Sequence, residues 1–431
     1  MKWLSARGRA ACIGVSALML SLPTAAAEPT GLGDALSLQR AVANALAKNP
    51  ELQTSTYALR AADARTTQAG LGPNPELSVQ LEDFAGTGRV RDFDAAQVTF
   101  ALSQVIELGS KRERRVDAAQ KAQGLLAVEV QARQLDVLAE VTRRFIHVAA
   151  DQQQIALTHR ATELAGKTVA EVEKRIKAAK SPEVELHRAR IALTRAQIEE
   201  EHAEHELLAS RRKLAAMWGD TEARFAPVSA DLYALPTLGD FDALQTRLAS
   251  NPDFTRFASE ERLRDAEVRL AQSRRAPNIQ VGAGIRRLQA TQDEAFVLSL
   301  SIPLMIRDRN QGGIAEAEAR RNSVSAEKQA AFIRAQAQLF ELYQELRHSI
   351  TQAKLLSGDV LPRMEQVLKG TEYAYQRGRY SYLEWVDAQR DLLDTRRSLI
   401  EAAANAHRYL AEIERLTGEP LATDPSAAPA N

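Results

Sequence analysis

Apolar residues along this chain follow two rhythms. In four short stretches they recur at every second position. Leu77, Val79 and Leu81 alternate with Ser78, Gln80 and Glu82, and Val98, Phe100 and Leu102 with Thr99, Ala101 and Ser103. Further on, Ile279, Val281, Ala283 and Ile285 alternate with Gln280, Gly282, Gly284 and Arg286. Phe296, Leu298 and Leu300 alternate with Val297, Ser299 and Ser301. A period of two predicts strands with one apolar and one small or polar face. Polar loops are expected over residues 83–94 and 287–294, giving two hairpins of strands about ten residues long. Elsewhere the spacing is three, four or seven, as in Leu125, Val128, Leu135, Leu138, Val141, Phe145 and Val148, the stripe of an amphipathic helix. Helical spans are predicted over 110–180 and 311–377, broken in the second by no proline except Pro362. About 65 residues of helix reach roughly 100 Å, which suits a rod or a tube wall better than a compact domain.

The two rhythms occur twice in the same order. Asn49-Pro50 recurs as Asn251-Pro252, Pro73-Asn74 as Pro277-Asn278, and Leu102-Ser103 as Leu300-Ser301. Glu185-Leu186-His187-Arg188-Ala189 recurs loosely as Glu384-Trp385-Val386-Asp387-Ala388, and Trp218-Gly219 as Thr417-Gly418. Five landmarks in register predict a duplication: a first repeat over 28–230, a second over 231–420, and a disordered tail over 421–431. Each repeat reads helix, strand, strand, long helix, turn, long helix.

The N-terminus changes what the strands mean. Lys2, Arg7 and Arg9 precede an apolar run over 10–22, and Ala25-Ala26-Ala27 offers a small-residue cleavage site. This is the pattern of a signal peptide over 1–27, with Glu28 as the first mature residue. Alternation alone fits equally a hairpin packed on a soluble core and one set between lipid and pore; export favours the membrane. No later segment has the 18 apolar residues of a membrane helix, so any span must be a β-barrel. Four strands cannot close a barrel, and open edges are not tolerated in lipid, so several chains must share one; three would supply about twelve strands.

Charge and chemistry narrow the classes further. The 431 residues carry 56 basic and 56 acidic side chains, without the basic excess of a nucleic-acid partner. Cys12, the only cysteine, lies in the apolar run, so neither lipidation nor thiol chemistry is expected of the mature chain. No phosphate loop, nucleophile elbow or cysteine metal site is present; no cofactor and no enzyme activity are expected. His202 and His205 stand three apart on a helix and could share a metal, but Glu199, Glu200 and Glu201 beside them read better as a solvated face.

The segment Leu102-Ser103-Gln104-Val105-Ile106-Glu107-Leu108-Gly109-Ser110-Lys111-Arg112 resembles the stretch that closes the first strand pair in the TolC family of outer-membrane factors. It is most similar to the heavy-metal branch of CzcC- and CusC-like channels, which has Pro and Gly where this chain has Val105 and Ser110. Tyr375-Gln376-Arg377-Gly378-Arg379-Tyr380-Ser381-Tyr382-Leu383-Glu384-Trp385-Val386-Asp387-Ala388-Gln389 resembles the family's periplasmic tip.

The resemblance implies a mainly α chain with long antiparallel coiled-coil hairpins. Three chains would form an α-barrel and share a 12-stranded membrane β-barrel. It implies a homotrimer in the lipid of the Gram-negative outer membrane with a long periplasmic extension. The trimer would be a passive duct engaged by a periplasmic membrane-fusion adaptor and an inner-membrane RND pump, with divalent heavy-metal cations as the expected cargo. Drug efflux, type I protein secretion, or a periplasmic coiled-coil adaptor are the alternatives.

The same resemblance places Glu384, Asp387, Glu185 and Tyr375 at a periplasmic gate, and Gly378, Arg379, Ser381, Ser181 and Pro182 at hairpin tips that meet the adaptor. Asp391 and Asp394 share the helical face of Glu384 and Asp387 but lack that support. At the first tip, which has no glycine, Ser181 is expected to cap the next helix with Pro182 in its first position.

Overall fold

The structure, a computed structural model, describes residues 35–418; the expected signal peptide and tail lie outside them. The chain opens with α1 (Leu38–Lys48) and α2 (Pro50–Ala69), followed by β1 (Glu76–Glu82) and β2 (Gln97–Glu107). Two long helices come next, α3 (Lys111–Lys177) and α4 (Glu183–Ala215). The order then repeats as α5 (Phe241–Leu248), α6 (Pro252–Ser273), β3 (Asn278–Leu288), β4 (Asp293–Ser301) and α7 (Gln311–Leu355). A five-residue π turn, Leu356–Val360, joins α7 to α8 (Leu361–Gln376), and α9 (Tyr382–Thr417) ends the described chain.

The strands form one antiparallel sheet in the order β1-β2-β3-β4. Cross-strand rows sort its faces cleanly. Leu77, Leu102, Ala283 and Leu298 share one row, and Val79, Phe100, Ile285 and Phe296 the next. These side chains stand exposed, Leu298 at 84% and Phe296 at 89%. Apart from Val297, the alternate rows carry small or polar groups: Ser78, Ala101 and Gly284, then Gln80, Thr99, Arg286 and Ala295. At Gly284 a Cβ would stand 2.4 Å from the Phe100 carbonyl oxygen, so only glycine lets β2 and β3 approach there. The second hairpin is tighter than the expected 287–294 loop. Its ladder runs out to Leu288 and Asp293, because Arg287 and Glu294 face each other as an ion pair 3.7 Å apart.

Each return from sheet to long helix needs an abrupt change of direction. Ser110 and Asn310 make it at the N-caps of α3 and α7 in the left-handed region, φ 54° and 56°. The first of these is braced by Arg115, whose guanidinium holds Glu107 with two hydrogen bonds of 2.5 and 2.9 Å.

The repeated Asn-Pro landmarks have a common structural role. Asn49 Oδ1 caps α2 by accepting from the Glu51 and Leu52 N–H groups, while its Nδ2 donates to the Met217 carbonyl past the end of α4. Asn251 Oδ1 caps α6 through Asp253 N–H, and its Nδ2 donates to the Arg415 and Leu416 carbonyls at the end of α9. Each asparagine therefore satisfies orphan groups at two helix ends. The apolar cores lie beside these pins: Val141, Phe145, Leu214 and Trp218 near the first, and Leu248, Phe257, Leu339 and Ile413 near the second. Among the described residues no helix is long and apolar enough to cross a membrane.

Candidate functional site at the helical tips

The long helices reverse at two tips that pack on each other. The first turn contains no glycine, and Ala179 supplies the left-handed residue at φ 56°. Ser181 does not cap α4, contrary to expectation. Pro182 is the N-cap, without a side-chain bond, and α4 begins at Glu183. The Ser181 hydroxyl instead accepts from Arg175 Nε at 3.1 Å. The second turn places Gly378 at φ 73°, and the Gly378 and Arg379 N–H groups donate back to the Tyr375 and Ala374 carbonyls. This is the C-cap that glycine favours. Ser381 then starts α9 with a reciprocal capping box to Glu384.

A small core joins the tips. Val172, Ala189, Tyr375, Tyr382 and Trp385 are buried together. The Tyr375 ring stacks on Trp385 with centroids 4.9 Å apart, and its hydroxyl donates to Glu185 Oε2 at 3.2 Å. Burial pushes the Tyr375 and Tyr382 phenols above their usual range. Two expected gate residues, Glu185 and Tyr375, thus meet across the hairpins. The sequence reading missed Arg175, which makes most of the cross-tip bonds. Its Nη1 donates to the Tyr375 carbonyl at 2.5 Å and the Gln376 carbonyl at 3.3 Å, and its guanidinium lies 4.4 Å from the Tyr375 ring centroid. The only sequence signal was a basic residue in the last turn of α3, a commonplace of helix ends.

The other two acids stand apart from this core. Glu384 Oε2 accepts from the Ser381 N–H at 2.7 Å and from its hydroxyl at 2.9 Å. These bonds, the backbone one first, hold the Glu384 carboxyl below its usual range. Asp387 is exposed on the rim of a shallow groove that also carries Arg188, Arg195 and Arg390. Asp391 and Asp394 continue the exposed face. His202 and His205 are exposed, and no group of three or more metal-ligating side chains gathers among the described residues.

The family profile described as "Outer membrane efflux protein" matches residues 41–220 and 243–419. The chain belongs to that family. It is 28% identical over 383 residues to the cobalt-zinc-cadmium resistance protein CzcC of Cupriavidus metallidurans, covering 89% of this chain and 90% of that protein. It is 26% identical over 341 residues to the nickel-cobalt-cadmium resistance protein NccC of Alcaligenes xylosoxydans xylosoxydans, covering 75% and 73%. Among solved structures, the fold is similar to CusC, with a TM-score of 0.73 at 17% identity over 89% of this chain and 92% of that one. The Vibrio cholerae outer membrane protein VceC gives a TM-score of 0.70 at 18% identity over 89% and 97%. This outer membrane efflux protein is therefore an outer-membrane channel with a long periplasmic helical part, and a passive duct rather than an enzyme. The exposed apolar rows of Leu298 and Phe296 are the kind of surface that a lipid-facing side of such a channel requires.

Proposed function

We propose that three copies of this outer membrane efflux protein assemble into one exit duct for divalent heavy-metal cations, loaded by a periplasmic adaptor and an RND pump. The observation that carries the assembly is the open sheet: β1 and β4 are edge strands, and one face carries the exposed apolar rows of Leu77 to Leu298 and Val79 to Phe296. Lipid offers no hydrogen bonds to those edges, so each must pair with a neighbouring copy. Exposed apolar stripes support the same arrangement in the helices. Val184, Ile191 and Ile198 repeat at sevens on α4, and Ile333 and Phe340 do so on α7, the spacing of a coiled-coil seam. The cargo rests on CzcC and NccC, whose names give cobalt, zinc, cadmium and nickel.

In this reading Glu384 and Asp387 of three chains line the periplasmic aperture as six acids that favour cations. Tyr375, Glu185 and Arg175 hold each chain's tips together. Gly378, Arg379, Ser381, Ser181 and Pro182 form the surface met by the adaptor. The chain matures by cleavage after Ala27. The test is metal tolerance in a host lacking its own outer-membrane factor. Co-expression with a cognate adaptor and pump is expected to restore growth on cadmium or zinc and to lower cell-associated metal. Restored tolerance to hydrophobic drugs with no change in metal content would overturn the cargo assignment.

A further inference from the structure

A second feature lies well away from the tips. Counting from Arg160 to the end of α3 at Lys177, it sits about 25 Å along the helix. There α3, α9, the π turn and the linker between the repeats enclose a groove of about 350 Å³. That volume lies within the range of small-molecule sites, about 300–1,000 Å³. Its floor is apolar, made by Leu157, Ala353, Leu361, Leu399 and Ile400, and its mouth carries Arg160, Arg396 and Tyr233.

Three observations point to a ligand. First, the charge at the mouth is positive and incompletely matched. Arg396 donates to Glu365 at 2.8 Å, but its Nε is buried without a hydrogen-bond partner. Arg160 is exposed and has no ion-pair partner among the described residues; the neighbouring Glu163 is held by Lys167 at 2.7 Å. Asp231, the other nearby acid, accepts the Tyr233 N–H. A buried guanidinium N–H without a partner is costly and calls for an oxygen that accepts its hydrogen bond. Second, the π turn Leu356–Val360 breaks the helix register at this point and brings Ser357 to the groove. Such turns are rare and concentrate at functional positions. Third, the linker wall is fixed in place: His407 Nε2 bonds the Leu232 carbonyl at 3.1 Å, and Leu235 packs on the core beneath.

We propose that this groove binds a small amphiphilic anion, a carboxylate head on an apolar body of about ten carbons. The head meets Arg160 and Arg396, and the body lies on the Leu157, Leu399 and Ile400 floor. The site is independent of the metal cargo, since it presents cations to its ligand.

The test is calorimetric titration of decanoate into the full-length protein in nanodiscs of zwitterionic lipid, with decanol as the uncharged probe. Saturable binding of one decanoate per chain is expected. Arg160→Gln should weaken it about tenfold, the weight of one charge-assisted hydrogen bond, while Arg160→Lys keeps part of the affinity. Ala156→Trp, placed at the groove wall, should abolish binding without touching the charges. Absence of saturable binding, equal affinity for decanol, or an unaffected Arg160→Gln protein would each overturn the proposal. So would failure of a maleimide to reach Ser357→Cys in the assembled protein, because the groove would then be covered by a second copy.

Discussion

Replacing Arg175 by glutamine removes the main connection between the two tips while leaving both turns intact. The guanidinium contributes two hydrogen bonds to carbonyls at the end of α8, one to Ser181 and a cation–π contact with Tyr375. Hydrogen bonds to charged groups are worth about 1.5–3 kcal/mol when desolvated, and an exposed cation–π contact about 0.5–1 kcal/mol. Arg175 is half-buried, so screening and hydration reduce the sum to roughly 2–3 kcal/mol. At about 1.4 kcal/mol per decade, the equilibrium between joined and separated tips shifts roughly 30- to 140-fold. The assay is single-channel recording in planar bilayers. Arg175→Gln is expected to raise open probability and mean conductance, and Arg175→Lys to do so less, because an ammonium keeps the charge but not the fork. Tyr375→Phe loses the 3.2 Å bond to Glu185 and should have the mildest effect, about 1 kcal/mol. Wild-type conductance in Arg175→Gln protein that is otherwise well assembled would refute the reasoning.

Four further outcomes follow from the same geometry. Leu298→Arg places a charge on the lipid face and should cost about 2–4 kcal/mol of assembly near mid-membrane. Ser78→Arg on the lumen face should be tolerated, and outer-membrane yield separates the two. Asn251→Ala removes a cap and the donor to two α9 carbonyls, so thermal unfolding of the periplasmic part should show a loss of about 2 kcal/mol. Glu384→Gln combined with Asp387→Asn should lower cation selectivity and weaken block by multivalent cations from the periplasmic side; Asp391→Asn with Asp394→Asn should do less. The depressed Glu384 carboxyl stabilises its capping box at pH above the ordinary value of about 4.3. That contribution is lost as pH falls through the depressed folded value, so the protection of tip amides against exchange should fall with acid in wild type and stay flat in Glu384→Gln.

The sheet was the most legible part of this chain, because a period of two fixes which side chains share a face whatever the tertiary setting. Leu298 and Ser299 were assigned to opposite faces by alternation, and their rows stand so in the sheet. The long helices were legible in extent but not in detail. Pro362 lacks an N–H for the turn before it, and the chain accommodates it with the π turn at Leu356–Val360, an adjustment that periodicity does not encode. Loop and tip chemistry was the least legible. Alanine seldom takes the left-handed conformation that Ala179 adopts, so a turn without glycine invited the capping role wrongly given to Ser181. Arg175 acts on residues 200 or more positions away, and nothing in its local sequence distinguishes it from Lys174 or Lys177. Tyr375 and Glu185 were found only through the family resemblance, since a lone tyrosine and a lone glutamate on two helices carry no pattern of their own.

The measurement that bears most directly on the account is native mass spectrometry of the protein extracted from outer membranes in a mild neutral detergent. A duct built by joining four-stranded sheets edge to edge predicts a single species of three chains, each beginning at Glu28. A folded, monodisperse single chain in that membrane would contradict it, because its β1 and β4 edges would then have no partner.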